Sequence, residues 1–562
     1  MTAIENARQT LLILLPELLI LLSAIVMMTA GAFVKLPRRT WATVSAATLG
    51  VAIFLLVALR IQLTDPYSSS ALNDAMSGYG RLVFLLGGLI VLAMAHDQVD
   101  DARAPEFFGM LLMINAGSML VAASNELIFL FVGLELVSIP TYLLLYLSRR
   151  DAASQEAATK YFFLSIFSSG LLLFGFAYLY GMAGVTNLKA LSYLAQVSST
   201  MPNVPHPILG VVALVFVMAG LGFRVAAVPF HFYAPDVYQG SPTIIAALLA
   251  WVPKGVGFLA ILRTITAVLP SDVLPPEDTL ANQGAVLAWL IAVITMILGN
   301  TVALGQTNLK RLFAYSSIAH AGYLMIGVAV AFRNGPRTSG IMLGSEAILF
   351  YLVAYGLMTL GAFAVIIGLS SKDRPVETVD DLAGLARAHP AIALAMAVCL
   401  FSLAGIPPLP GFFGKLRLFV AAFSASNRDD ATMFQSLALI GVINSAIGAY
   451  YYLKIVVAMY LREPVGKPLT PSLTWPTATA IGACATLTIF MGCWPDPFSR
   501  ASRESAVALV LHPEPLTVRS TAVAERTPEQ AEEALREADQ EAKVQQMLRS
   551  FRSLAPPPKP NP

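Results

Sequence analysis

The chain has 562 residues, of which 57% are hydrophobic and 12% are charged, and its mean hydropathy is +0.70. Soluble domains carry about 25% charged residues, so this composition indicates a polytopic membrane protein. The formal net charge of +2 provides no basic patch and gives no reason to expect nucleic acid as a partner.

The sequence also lacks the usual signatures of cofactor binding. Its three cysteines, Cys399, Cys484 and Cys493, have no C-x-x-C spacing, which argues against a structural metal site, an iron–sulfur cluster and a disulfide framework. The glycine motifs of P-loops and dinucleotide-binding folds are missing as well. We therefore expect no metal, nucleotide or redox cofactor in this chain.

Runs of about 20 apolar residues predict an all-α membrane fold of about fourteen transmembrane helices. Three helices lead the chain in 1–104, five follow in 105–275, five more in 276–470, and a last one lies in 471–498. A polar C-terminal extension occupies 499–562 and contains a predicted helix at 528–554, which is either solvated or docked on a neighbouring subunit or the bilayer surface. The predicted spans are 10–34, 40–63, 79–96, 105–124, 126–148, 155–182, 206–238, 242–267, 281–303, 309–332, 340–370, 386–424, 433–461 and 472–494.

Two of these segments, 206–238 and 386–424, are longer than one crossing requires and are interrupted by glycine and proline. Arg224 lies at the first interruption, before Pro229, and Lys415 lies at the second. Proline inside a helix removes a donor and breaks the helix. Each broken helix is the fourth of its five-helix group, and five is odd, so the groups are predicted to be inverted repeats. Matched broken helices in two halves indicate a transport site.

Loop charges predict the orientation. Lysine and arginine are concentrated in the loops after odd-numbered helices, which include Arg38, Arg103, Lys310 and Arg311. By the positive-inside rule those loops face the cytoplasm, which puts the N-terminus on the outer side of the membrane.

Five ionisable residues are predicted to lie near the middle of the membrane on five different helices. A charged side chain at that depth costs at least about 2.5–3.5 kcal/mol, so each needs a partner or a function. Any one of them alone is more simply explained as a structural ion pair or a satisfied core histidine. Five at one level, two of them at helix breaks, favour a proton or ion path in the membrane plane. The five are Glu135, Arg224, Lys254, His320 and Lys415.

The residue types suggest different roles. Lys254 and Lys415 can alternate between charged and neutral forms when buried, and His320 can relay a proton. Arg224 does not deprotonate, so we expect it to pair with Glu135 and tune its neighbours. Other charged residues lie nearer helix ends. Of these, Glu346, Lys160 and Lys454 are interpreted as interface anchors or as openings of the path, and His231 and Asp236 as loop-structuring residues.

Four long motifs occur in one order along the chain. They are Gly133-Leu-Glu-Leu-Val-Ser, Ala234-Pro-Asp-Val-Tyr-Gln-Gly-Ser-Pro-Thr, Lys310-Arg-Leu-Phe-Ala-Tyr-Ser-Ser-Ile-Ala-His and Leu403-Ala-Gly-Ile-Pro-Pro-Leu-Pro-Gly-Phe-Phe-Gly-Lys. With them the chain resembles the antiporter-like subunits of proton-pumping NADH:quinone oxidoreductase, bacterial respiratory complex I. The sequence Asp-Val-Tyr-Gln-Gly-Ser-Pro-Thr, which begins at Asp236, and the lysine at position 415 resemble subunit N in particular.

The resemblance implies a proton channel with inverted five-helix repeats in the bacterial inner membrane. It implies M-, K- and L-type subunits and membrane lipids as partners, with FMN, iron–sulfur clusters and quinone held by other subunits. By position, Glu135, Lys254, His320 and Lys415 match the family's functional carboxylate, eighth-helix lysine, tenth-helix histidine and twelfth-helix lysine. The departure is Arg224, where the family usually has lysine.

That departure leads to a hypothesis in which the Glu135–Arg224 pair is a fixed-charge switch that shifts the protonation of Lys254. Two alternatives remain open at this point. One is a cation/proton antiporter subunit of the Mrp type, and the other is a structural membrane-arm subunit whose buried charges only fix helix packing.

Overall fold

The computed structural model describes residues 3–59, 66–67, 69–148, 151–199, 207–268, 279–333, 344–371, 374–425, 431–464, 471 and 473–510. Over these residues the chain is a helical bundle, and twelve of the described helices are long and apolar enough to cross a membrane. The predicted all-α membrane fold is confirmed. The predicted C-terminal helix at 528–554 lies outside the described residues.

The leading part of the bundle has three spans preceded by a short helix. The first segment, predicted as one helix at 10–34, divides at Leu14, because Pro16 cannot donate the backbone bond that would continue the preceding helix. The helices here are α1 (Ala3–Ile13), α2 (Leu15–Phe33), α3 (Arg38–Ala58) and α4 (Ala75–Ala95).

The first five-helix group has the predicted order, with one additional helix, α8, which the apolar pattern did not predict. The helix α8 packs against the last helix of the group, α11. The predicted broken segment at 206–238 is two helices, α9 and α10, joined by turns. The group contains α5 (Ala104–Ala123), α6 (Leu127–Ser148), α7 (Ala152–Ala183), α8 (Leu188–Ser199), α9 (Pro207–Val225), α10 (Ala234–Gly240) and α11 (Thr243–Val268).

The second group also contains a divided helix. The long predicted segment 386–424 is divided at Gly405, whose backbone φ of +88° lies in the left-handed region that ends helices. The group contains α12 (Thr279–Leu304), α13 (Leu309–Arg333), α14 (Gly344–Leu369), α15 (Leu385–Ala388), α16 (Pro390–Ala404), α17 (Pro410–Ser424) and α18 (Ala431–Leu461). The count of fourteen crossings and the inverted relation of the groups remain predictions.

The chain continues through α19 (Trp475–Cys493) into a helix that the sequence analysis missed, α20 (Asp496–Val510). One face of α20 is apolar and buries Ala506 and Leu509 against α14 and α4. The compact unit therefore reaches Val510, past the predicted boundary at 498. The other face of α20 is polar, and for this reason the sequence analysis places most of the helix in the polar extension.

The helix α11 lies at the centre of the bundle, since its apolar stretch is entirely buried by other parts of the protein. The spans α2, α3, α7, α12, α18 and α19 are largely exposed and form the outer surface. A central helix surrounded by protein can carry a charged side chain that lipid would not tolerate. Lys254 lies on this helix.

Candidate functional site

Four of the five predicted site residues are buried inside the bundle, and the fifth is partly exposed. Arg224, Lys254, His320 and Lys415 are each at most 4% exposed. The Glu135 side chain is 23% exposed. Protein surrounds the four buried residues, which is the environment in which a charged side chain is tolerated inside a membrane bundle.

The predicted pairing of Glu135 with Arg224 is present. The Arg224 guanidinium Nη2 lies 2.6 Å from Glu135 Oε1, and it also donates to Ser169 Oγ at 2.9 Å. Ser169 in turn donates to Glu135 Oε1 at 2.5 Å, so the serine closes a triangle with the ion pair. Arg224 Nη1 donates to the Leu134 backbone carbonyl at 3.1 Å. The arginine charge is thus compensated and held by several hydrogen bonds.

The first helix break positions this arginine. Arg224 lies in the last turn of α9, and Ala226, just after the helix end, has a backbone φ of +57°. Opposite the break, Gly257 lies one turn after Lys254 on α11. A Cβ at Gly257 would come within 3.3 Å of the Arg224 Cβ and 2.6 Å of Val225 Cγ1, so glycine is needed for this close approach. The ion pair and Lys254 are therefore on packed, adjacent helices.

Lys254 is bound by a serine that also contacts two tyrosines. Its Nζ donates to Ser317 Oγ in a short contact. The Tyr355 hydroxyl donates to the same oxygen at 2.8 Å, and the Tyr238 hydroxyl lies 3.3 Å from it. A hydroxyl can donate one proton and accept another, so Ser317 joins the lysine to both tyrosines.

His320 follows Ser317 by one turn of α13 and has a tyrosine on each ring nitrogen. Its Nδ1 lies 2.6 Å from the Tyr351 hydroxyl, and its Nε2 lies 2.9 Å from the Tyr452 hydroxyl. The Tyr355 ring packs against the imidazole with centroids 5.0 Å apart. A neutral imidazole donates from one nitrogen and accepts at the other, so His320 can receive a proton on one side and release one on the other.

Lys415 lies at the second break and caps a half-helix. Its Nζ donates to the Leu403 and Ala404 carbonyls, at 3.0 and 3.1 Å, at the C-terminal end of α16. A third bond goes to Ser445 Oγ at 3.1 Å. Unpaired carbonyls at a helix C-terminus carry partial negative charge, so a lysine is favoured there without a carboxylate.

An aromatic contact connects Lys415 to the histidine. The Lys415 Nζ lies 5.0 Å from the centre of the Tyr323 ring, and the same ring packs on His320 with centroids 5.7 Å apart. The Tyr323 hydroxyl accepts from Asn300 Nδ2 at 3.1 Å, and Asn300 lies 3.4 Å from Asn444, next to Ser445. Polar and aromatic groups thus continue from Lys254 to Lys415 through the second group of helices. We name this set, from Lys254 through Ser317, Tyr355, His320 and Tyr323 to Lys415, the buried polar series.

The sequence analysis missed the uncharged members of this series. Ser317 and His320 are three residues apart on α13, and Tyr351 and Tyr355 are four apart on α14, so each pair lies on one helix face. Hydroxyl-bearing residues at helical spacing inside apolar spans were the available signal. Serine and tyrosine are common enough in membrane helices that their pattern has little weight alone.

Other buried charges lie outside the series and fix helices. Arg81 Nε is 2.8 Å from Glu17 Oε1, which joins α4 to α2. Arg263 makes two bonds to Asp74 at 2.7 and 2.9 Å, which join α11 to the start of α4. The sequence analysis did not single out these pairs.

The charges predicted as anchors or openings have defined partners. Glu346 is buried and accepts from Arg417 at 3.1 Å and from Arg503 at 3.3 Å. It is therefore not an anchor in the lipid interface. Lys160 lies 2.7 Å from Asp236, and Lys454 Nζ lies 3.5 Å from the Gln306 carbonyl.

Comparison with known proteins decides the family. Residues 124–447 match the family described as NADH:quinone oxidoreductase/Mrp antiporter, transmembrane. A subunit N of NADH-quinone oxidoreductase from Paramagnetospirillum magneticum is 36% identical, with 88% of this chain and 97% of the relative covered. The corresponding protein from Rhodospirillum rubrum is 37% identical, with 85% and 93% covered. The chain belongs to the NADH-quinone oxidoreductase subunit N family.

Solved structures agree with this assignment. A chain of respiratory complex I from Thermus thermophilus with bound aureothin is 31% identical, with a TM-score of 0.68 over 86% of this chain and 98% of that one. A chain of the Mrp complex from Dietzia sp. DQ12-45-1b has a TM-score of 0.74 over 91% and 98%, but its identity of 21% establishes only a shared fold. The subunit N family is thus shown by sequence, and its fold is shared with Mrp proteins.

Proposed function

We propose that this subunit N family member translocates protons across the membrane through the buried polar series. The observation that carries the proposal is the buried Lys254, whose ammonium group is hydrogen-bonded to Ser317, which is itself bonded to Tyr355. From there, ring contacts of Tyr355 and Tyr323 with His320 continue the series toward Lys415. Lysine and histidine can change protonation state, and the hydroxyl groups of the serine and tyrosines around Lys254 and His320 can pass protons. A purely structural set of charges would not need two lysines with uncharged partners.

In this proposal the chain is one subunit of a larger oxidoreductase in the bacterial inner membrane. Its partners are membrane-arm subunits of the M, K and L types together with lipid. Flavin, iron–sulfur clusters and quinone belong to other subunits, and their redox reactions drive the proton movement. The N-terminus lies on the outer side. The opposite side, where Arg38, Arg103, Lys310 and Arg311 lie in loops and at helix starts, faces the cytoplasm, and we name it the basic side.

The Glu135–Arg224 pair acts as a fixed-charge switch in this scheme. When the pair is closed, the carboxylate compensates the arginine, and when it opens, the uncompensated charge of Arg224 disfavours a second positive charge on nearby Lys254. The lysine then releases its proton toward His320. Arg224 remains charged throughout, so it controls the transfer without carrying the proton.

The experiment compares intact complexes that contain this subunit after reconstitution into liposomes. Lys254→Ala should lower the number of protons moved per electron pair, while NADH–quinone electron transfer continues or slows. Lys35→Ala is the control and should pump as the native complex does, because Lys35 is an exposed lysine in the loop after α2. Native proton movement in the Lys254→Ala complex at native assembly would contradict the proposal.

The shared fold with Mrp proteins does not by itself favour an antiporter function. If the isolated chain exchanged sodium for protons in vesicles, that function would replace the one proposed. We expect no such exchange, because sequence identity is higher to subunit N relatives than to the Mrp chain.

A further inference from the structure

The short helix α10 has two faces with different surroundings. It has only seven residues, Ala234–Gly240, and is joined to α9 by turns at 226–233. Asp236 and Tyr238 are two positions apart, and at about 100° per residue they point roughly 200° apart around the helix axis. One face of α10 is therefore charged and partly exposed, while the other faces the protein interior.

The inner face reaches the lysine of the buried polar series. Tyr238 is 2% exposed, and its hydroxyl lies 3.3 Å from the Ser317 Oγ that also accepts from Lys254. A single serine hydroxyl thus separates the tyrosine from the lysine. Tyr355, on the other side of Ser317, leads toward His320, so Tyr238 lies on a branch of its own.

The outer face is held by cations from both groups of helices. Asp236, whose side chain is 38% exposed, lies 2.7 Å from Lys160 of α7 and 2.8 Å from Arg311 of α13. Lys310 donates to the Gln239 and Ser241 carbonyls at 2.8 and 2.7 Å and so fixes the end of α10. Because Lys310 and Arg311 begin α13, this face lies at the basic side of the membrane.

We propose that Tyr238 is the group through which Lys254 exchanges protons with the basic side, and that Asp236 is the residue that positions it. The inference rests on the proposed function of the chain. A hydronium ion on the basic side gives one proton to the Tyr238 oxygen and becomes water, as the hydroxyl's own proton passes to Ser317. The Ser317 proton passes to the neutral amine of Lys254 in the same way. Each hydroxyl gains and loses one proton, and the net change is one proton moved from hydronium to lysine.

The ion pairs of Asp236 keep Tyr238 on Ser317. Because α10 is short and its link to α9 consists of turns, a small displacement of α10 would separate the two hydroxyls. Lys160 and Arg311 oppose that displacement by binding Asp236 from two sides. Asp236 therefore acts by positioning Tyr238 and does not itself carry the proton.

The first test removes only the tyrosine hydroxyl. Tyr238→Phe in the intact, reconstituted complex should move fewer protons per electron pair than the native complex does. The decrease should be at least half of the decrease in Lys254→Ala. Tyr233→Phe is the control, because its buried hydroxyl donates to the Phe223 carbonyl, away from Ser317, and this variant should pump as the native complex does. Native pumping by Tyr238→Phe overturns the inference if Lys254→Ala is impaired. Native pumping by Lys254→Ala overturns the proposed function as well.

The second test concerns positioning. Asp236→Asn should lower the proton-to-electron ratio about twofold and speed amide hydrogen exchange in α10, while Asp236→Glu should restore most of both. Glu156→Gln is the control, since Glu156 also binds Lys160 at 2.7 Å but its side chain is exposed and lies on α7. Equal impairment of Asp236→Asn and Asp236→Glu, or a native ratio in Asp236→Asn, overturns the positioning role.

Discussion

The two broken helices hold their cations in different ways. At the first break, Arg224 is paired with the Glu135 carboxylate and with Ser169. At the second break, the three hydrogen bonds of Lys415 go to two backbone carbonyls and a serine hydroxyl, all uncharged. Similar backbone interruptions thus provide an ion pair in one place and a neutral cage in the other.

The difference separates a fixed charge from a titratable one. An arginine remains charged, so its burial requires a counter-charge, and the first break supplies one. A lysine in a cage of neutral acceptors can lose its proton without leaving a carboxylate uncompensated. The first break is therefore suited to control the path, and the second is suited to conduct along it.

The largest expected effect is at the second break. Lys415→Met should lose as much proton movement as Lys254→Ala does, because methionine fills the space but cannot carry a proton. The loss in Lys254→Ala is taken as the contribution of this subunit. Proton movement per electron pair in reconstituted complexes measures the loss. If Lys415→Met retained more than half of that contribution, the conducting role of the second break would be wrong.

A smaller effect is expected from the carboxylate of the first break. Glu135→Gln leaves Arg224 buried without its counter-charge, and breaking a buried pair in this way costs about 3 kcal/mol. Thermal denaturation of the purified complex should show reduced stability, together with partial loss of pumping. Glu156→Gln, an exposed carboxylate on α7, provides the comparison and should leave stability close to native. An equally stable Glu135→Gln complex would mean that the pair does not hold the arginine.

The smallest effect is expected at Ser445. Ser445→Ala removes one of the three oxygens around Lys415, and a single hydrogen bond contributes about 1 kcal/mol. Pumping should fall by less than half, because the two carbonyl acceptors remain. Ser436→Ala is the comparison and should pump as the native complex does, because the Ser436 hydroxyl donates to the Met433 carbonyl of the same helix, α18. A complete loss of pumping in Ser445→Ala would show that the serine conducts protons itself and is more than part of the cage.

The apolar runs and the breaks could be predicted from the sequence, because membrane thickness sets helix length and proline interrupts helices. The pairing of Glu135 with Arg224 could be predicted as well, since a buried arginine requires a counter-charge. The helix α20 could not be predicted by the same pattern. It buries only one face against the bundle, so its composition is that of a polar extension.

Ser317 could not be identified from its position in the chain. Its role depends on three side chains, Lys254, Tyr238 and Tyr355, that meet only when α10, α11, α13 and α14 are packed together. Asp236 was interpreted as a loop-structuring residue for the same reason. Its partners Lys160 and Arg311 are distant in sequence and belong to different groups of helices.

The most direct test exchanges the two cation types. Lys254→Arg retains the positive charge and the side-chain length but cannot release a proton. Arg224→Lys, in contrast, keeps a positive charge beside the Glu135 carboxylate. Proton movement per electron pair should fall in Lys254→Arg to the level of Lys254→Ala, and Arg224→Lys should keep more than half of the native value. Native proton movement by the Lys254→Arg complex would contradict the account, because an arginine at that position could not take part in the transfer.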